Sequence, residues 1–139
     1  MRARLEKERV VRRGSGINIK HGGGGMLDVY FAVRYLQLRD NVPDDDEDRT
    51  TLAMLKRLRD RSSIEETDFQ ALYEGYRLLR SVDHEMRLIV GRSATLPAPG
   101  HRAMADMARR LGYAAPDVLI AELQSKMSDI RTAYQRIVR

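Results

Sequence analysis

The sequence predicts an all-α protein, a bundle of five to six helices that run mostly antiparallel, with a Gly-rich loop before the central helix. Three observations predict it. Apolar residues recur at three- and four-residue spacing through several long runs, the pattern of helices that bury one face. Gly, Pro and acid-rich stretches separate those runs, as helix ends and short connections require. Alternation of the kind a half-buried strand needs is confined to Ile17-Asn18-Ile19. With 139 residues, of which 42% are hydrophobic and 32% charged, the chain is long enough to bury a core as one domain.

Residues 2–13 place opposite charges four apart, at Arg2 and Glu6, Arg4 and Glu8, and Glu8 and Arg12, which supports an exposed helix. Leu5, Val10 and Val11 are too few to bury a face. Residues 1–16 therefore read as a basic connector helix closed by Gly14-Ser15-Gly16, and residues 17–139 as the bundle. Lys20, His21 and four glycines, Gly22 to Gly25, then lead into the central helix. Its apolar residues form two adjacent stripes, Met26, Val29, Val33 and Leu36 beside Leu27, Phe31, Tyr35 and Leu38, and predict a buried element.

Glycine amides ahead of a helix N-terminus suit an anion, because bare N–H groups and the positive helix end both favour negative charge. A plain hinge accounts for the same glycines. Neither nucleotide fingerprint, G-x-G-x-x-G after a strand or G-x-x-x-x-G-K-[ST], is present. Asp28, in the first turn, has two possible uses: capping amides of its own helix, or helping to position a metal.

Residues 40–48 are an acid-rich, water-facing loop without the spacing or central glycine of an EF-hand. A helix over residues 49–61 carries Leu52, Leu55 and Leu58. Ser63-x-x-Glu66 and Thr67-x-x-Gln70 both fit a capping box at the head of the longest helix. Along it Phe69, Leu72, Tyr73, Tyr76, Leu79, Val82, Met86 and Ile89 trace one face as far as Gly91. On its flank Arg80, Asp83, His84 and Arg87 fall within one turn, and Arg80, His84 and Arg87 are candidate partner or interface residues. Residues 91–100, with Pro97 and Pro99, make a loop. A short helix over residues 102–111 ends at Gly112 as a left-handed cap, and Pro116 opens the last helix. Leu119, Leu123, Met127, Ile130, Tyr134 and Ile137 hold its inner face.

Residues 20–38 resemble the start of the helical domain in glutamine synthetase adenylyltransferases, a family related to the uridylyltransferases of the PII signalling protein. The family pattern runs Lys-x-Gly-x-Gly-Gly, two residues, Asp, one residue, Glu-Phe, two residues, Gln, then Leu-Gln-Leu. Lys20, Gly22, Gly24, Gly25, Asp28, Phe31 and Leu36-Gln37-Leu38 match it, while Tyr30 replaces the Glu and Arg34 the Gln. Leu79-Arg80 through Glu85 to Arg87-Leu88 is similar to a second family segment, and Leu96-Pro97 and Leu111-Gly112-Tyr113 fit as well. The resemblance covers residues 17–134. It implies a cytoplasmic, non-catalytic helical domain that braces a nucleotidyltransferase domain in nitrogen regulation. It also makes Lys20, Gly22, Gly24, Gly25 and Asp28 candidates to face nucleotide phosphates or a domain interface. Glutamine synthetase and a PII-type protein are the implied partners, and ATP and Mg²⁺ are implied only for the separate catalytic domain.

Nucleotidyl transfer needs carboxylates that hold Mg²⁺ against phosphates, and the family's Gly-Ser with a spaced Asp-x-Asp is absent here. Asp44-Asp45-Asp46 lies in a loop, and His21, His84 and His101 lack metal-ligand spacing. No metal site is predicted, and the chain alone is expected to be inactive. The absence of cysteine removes disulfides and thiolate metal sites. No run is long and apolar enough to span a membrane, and a net charge of +5 gives only weak grounds for a nucleic-acid partner. The competing reading is a stand-alone helical interaction module that has lost the transferase role.

Overall fold

A computed structural model of the chain describes residues 16–44, 47–91 and 94–139. The connector helix expected over residues 2–13 lies outside them, as do Asp45 and Asp46 of the acidic loop. The described residues form five helices: α1 (Met26–Asp40), α2 (Thr51–Asp60), α3 (Glu66–Ile89), α4 (Arg102–Arg110) and α5 (Pro116–Ile137). The alternation at residues 17–19 yields one isolated antiparallel bridge, Asn18 with Thr95. Ile19 N donates to Ala94 O at 2.7 Å and Leu96 N donates to Ile17 O at 2.9 Å. These bonds tie the segment before α1 to the connection between α3 and α4, with Ile19 and Leu96 buried beneath them.

Helix ends follow local chemistry, and two differ from expectation. Thr50 caps α2, its hydroxyl accepting from Ala53 N at 3.2 Å, so the helix opens at Thr51 rather than Arg49. The N-cap of α3 is Glu65, which leaves Ser63 outside the helix and Thr67 inside it, so neither capping box forms. Ser63 is taken by the turn that closes α2, where its N–H donates to Leu58 O at 2.9 Å behind a left-handed Ser62. Glu66 instead accepts from Gln70 Nε2 at 3.0 Å. Gly112 ends α4 with φ +87°, and Pro116 stands in the first turn of α5.

The two long helices, α3 and α5, form the spine. Asp68 meets Arg136 and Glu74 meets Lys126, so the pair runs antiparallel. They approach closely at Gly75, where a Cβ would lie 2.5 Å from Ile130 Cδ1 and the Ile130 side chain would have to shift. α1 also runs against α3, since Lys20 at its head pairs with Asp83 late in α3 while Arg39 at its end bonds Ser63 O ahead of α3. α1 and α5 are therefore parallel to each other. Leu55, Leu58, Leu72, Leu79, Met104, Leu119 and Leu123 are fully buried within one continuous apolar core. No helix among the described residues is long and apolar enough to cross a membrane.

α1 corrects one expectation. Val29, Ala32, Val33 and Leu36 are buried, but Tyr30, Phe31, Tyr35 and Leu38 are 46%, 44%, 37% and 78% exposed. The neighbouring helices reach only one side of α1, and two adjacent stripes together are wider than the face they cover.

Candidate functional site

The sequence around the glycines dictates a tight, self-satisfied turn. Asn18 starts it, its side-chain oxygen accepting from Lys20 N at 3.1 Å and His21 N at 2.8 Å, an Asx-type turn. Gly22 N donates to Asn18 O at 3.0 Å, Gly25 N to Gly22 O at 2.9 Å, Met26 N to Ile19 O at 2.8 Å and Leu27 N to Lys20 O at 3.1 Å. Gly24 N donates to Asp28 Oδ2 at 2.7 Å. Of the amides from Lys20 to Asp28, only that of Gly23 lacks such a bond. The expected row of open amides is thus absent: the loop uses its own donors, as buried backbone must.

The same geometry explains the glycines without a ligand. Gly24 has φ +75°, and a Cβ there would sit 1.8 Å from the carbonyl oxygen of Met127 in α5. At Gly25 a Cβ would meet the carbonyls of Ile19 and Lys20, both at 2.8 Å. A Cβ on Gly22 would lie 2.6 Å from Asn18 O. The glycine run is therefore packed against itself and against α5.

Asp28 is fully buried at the third position of α1 and reaches back over the helix start to Gly24 N, much as the acid of a capping box does. Arg131 of α5 bonds the same oxygen at 3.4 Å. Lys20 projects from the loop toward α3, where its Nζ lies 3.8 Å from Asp83 Oδ1, and Arg87 Nε pairs with Asp83 Oδ2 at 3.2 Å. Asp83 thus joins Lys20 and Arg87, two candidates drawn from different segments of the sequence. Lys20, His21, Met26, Leu27, Tyr30 and Tyr76 line an apolar hollow of about 300 Å³ at the base of the exposed face of α1.

Arg80 and His84 stand apart from Lys20 and Arg87. They line a separate groove of about 470 Å³ with Leu52, Arg77, Ser81, Glu85 and Leu111. Sequence reasoning missed Asn18, Arg77 and Arg131. Asn18 carried a local signal, an Asx residue just before a glycine turn. Arg77 shares the helical spacing of Arg80 and His84, whereas nothing local links Arg131 to Asp28.

Among the described residues no cluster of three His, Asp or Glu side chains is placed to hold a metal. Asp28 already faces a backbone N–H and a guanidinium. This donor set does not fit a catalytic Mg²⁺.

The sequence model of the GlnD PII-uridylyltransferase family matches residues 1–138. The chain belongs to that family. It is also similar to bifunctional glutamine synthetase adenylyltransferase/adenylyl-removing enzymes. That of Xanthobacter autotrophicus is 30% identical over 126 residues, covering 88% of this chain and 12% of the relative. That of Streptomyces avermitilis is 34% identical over 122 residues, covering 86% and 12%. That of Xanthomonas campestris is 28% identical over 139 residues, covering 99% and 15%. The chain thus spans about an eighth of the length of these relatives.

Proposed function

We propose that this chain is a non-catalytic helical domain of a glutamine synthetase adenylyltransferase-like nucleotidyltransferase, and that it braces the catalytic domain through the open face of α1. One observation carries the reading: a family match over residues 1–138, made by a chain that spans 12% of a full-length relative. A second supports it. Tyr30, Phe31, Tyr35 and Leu38 form an apolar stripe that a free-standing domain would have reason to cover. Lys20 and Arg87 lie beside its base, held by Asp83, where they can meet a nucleotide phosphate or an acidic rim of the catalytic domain. On this reading ATP and Mg²⁺ would be held by that other domain, and glutamine synthetase and a PII-type protein are the partners that the family resemblance implies.

The test adds the nucleotidyltransferase domain of the Xanthobacter autotrophicus relative to this chain in trans. Co-elution on size exclusion is expected, and Phe31→Asp together with Leu38→Asp should abolish it while the helical circular dichroism persists. Absence of co-elution, or co-elution indifferent to both substitutions, favours the stand-alone interaction module that Tyr30, in place of the family Glu, also fits. Titration of this chain with ATP and Mg²⁺ tests the loop separately. Heat that disappears in Lys20→Ala supports a nucleotide contact, and no heat removes it.

A further inference from the structure

Along α3, Arg77, Arg80, Ser81 and His84 stand on one exposed side and form a wall of the 470 Å³ groove. Leu52 of α2 and Leu111 after α4 supply apolar lining. The acids nearby are already engaged: Glu85 by Arg110, and Asp83 by Lys20 and Arg87. The side chains of Arg80 and His84 make no ion pair or hydrogen bond with a described residue, and the guanidinium of Arg77 lies 6.0 Å from the Tyr73 ring. The groove is therefore cationic, and among the described residues that line it the one acid, Glu85, is already paired with Arg110. The same helical stripe ends at Leu88, which is 59% exposed.

Cations along a concave wall, apolar contact at its base and an exposed leucine one turn beyond together specify their complement. We propose that this groove docks an acidic amphipathic helix of a partner protein, with leucines seated on Leu52, Leu111 and Leu88 and carboxylates facing Arg77 and Arg80. Helix-in-groove recognition of this kind takes affinity from apolar anchors, and selectivity and association rate from matched charge. The groove lies on α3 and owes nothing to the open face of α1, so this inference and the bracing role can fail independently.

The probe is a fluorescein-labelled peptide of two heptads with Leu at the a and d positions and Glu elsewhere, titrated with the 139-residue chain by anisotropy. Saturable binding is expected. Arg80→Glu should weaken it at least tenfold and Arg80→Gln by a smaller factor, with unchanged circular dichroism in both. Arg139→Glu, an equal charge change just past the C-terminal end of α5, should leave it unaltered. Leu88→Ala should weaken it while leaving its salt dependence intact. Equal losses at Arg80 and Arg139 would reduce the effect to net charge and overturn the proposal. So would the absence of binding to the wild-type chain, or tighter binding of a 20-mer DNA that depends on Arg80.

Discussion

The two sides of α1 have similar apolar content and opposite fates. Val29, Ala32, Val33 and Leu36 are enclosed by the bundle, while Tyr30, Phe31, Tyr35 and Leu38 face outward. Apolar periodicity states which residues gain from leaving water; it does not state which surface will receive them. On the inner side the receiving surface is α5, together with α2 and α3. On the outer side none of the described helices supplies one, and the bracing contact proposed above would fill that place in a chain that spans about an eighth of its relatives' length. The difference between the two sides can be measured.

The largest effect is expected where the loop seals the inner side against α5. Gly24→Ala places a methyl 1.8 Å from a backbone carbonyl that cannot swing away, at φ +75°. Left-handed strain and overpacking together should remove about 4 kcal/mol, a large part of the stability of a small domain. Urea denaturation followed at 222 nm reads it directly. A loss below about 1 kcal/mol would mean that the loop repacks freely and does not anchor α1.

Leu36→Ala and Leu38→Ala then compare the two sides within one turn of the same helix. Leu36 is 1% exposed, and its truncation should cost about 3 kcal/mol through lost burial and the cavity left behind. Leu38 is 78% exposed, and its truncation should move stability by no more than about 0.5 kcal/mol. Equal losses would show that the outer side is covered in the isolated chain. That result would end the case for a docking face.

Asp28→Asn ranks between the two leucines, at about 2 kcal/mol. The amide keeps the shape of the carboxylate but no longer pairs with Arg131 or gives Gly24 N a charged acceptor. A fully buried acid with these contacts makes the loop rigid. Hydrogen exchange at the Gly24 amide should be faster in the variant than in the wild-type chain.

Much of this architecture was legible in the residues themselves. Val29 and Leu36 announced the inner face by spacing, and Gly112 and Pro116 marked helix ends through φ and the missing N–H. What stayed hidden depended on partners distant in sequence. The need for glycine at position 24 comes from Met127, and the second partner of Asp28, whose capping of the helix start was legible, is Arg131, 103 residues away. Four consecutive glycines look the same before an anion as before an oncoming helix, and only the carbonyl of Met127 distinguishes the two. Arg80 and Arg87 looked like one cluster because they share a helix. Asp83 separates them, holding Arg87 beside Lys20 while Arg80 turns to the groove.

The smallest effect sits on the border between the two sides of α1. Gln37 is buried and Arg34 exposed, and both bond Asp44, Gln37 Nε2 at 2.9 Å and Arg34 Nη1 at 3.5 Å. The Gln37 amide foremost, with Arg34 and Arg49 behind it, holds the Asp44 carboxyl below its ordinary value of 3.8. A depressed acid contributes stability above its unfolded pKa and loses it as the pH falls through its folded value. Asp44→Asn should therefore melt slightly lower than the wild type at pH 7, and the two curves should converge only in the acid range below 3.8. The carboxylate is exposed, so salt should narrow the gap at neutral pH as well. A gap independent of pH would mean that Asp44 acts through hydrogen-bonding shape rather than charge, and that the boundary of the inner face is set by Gln37 alone.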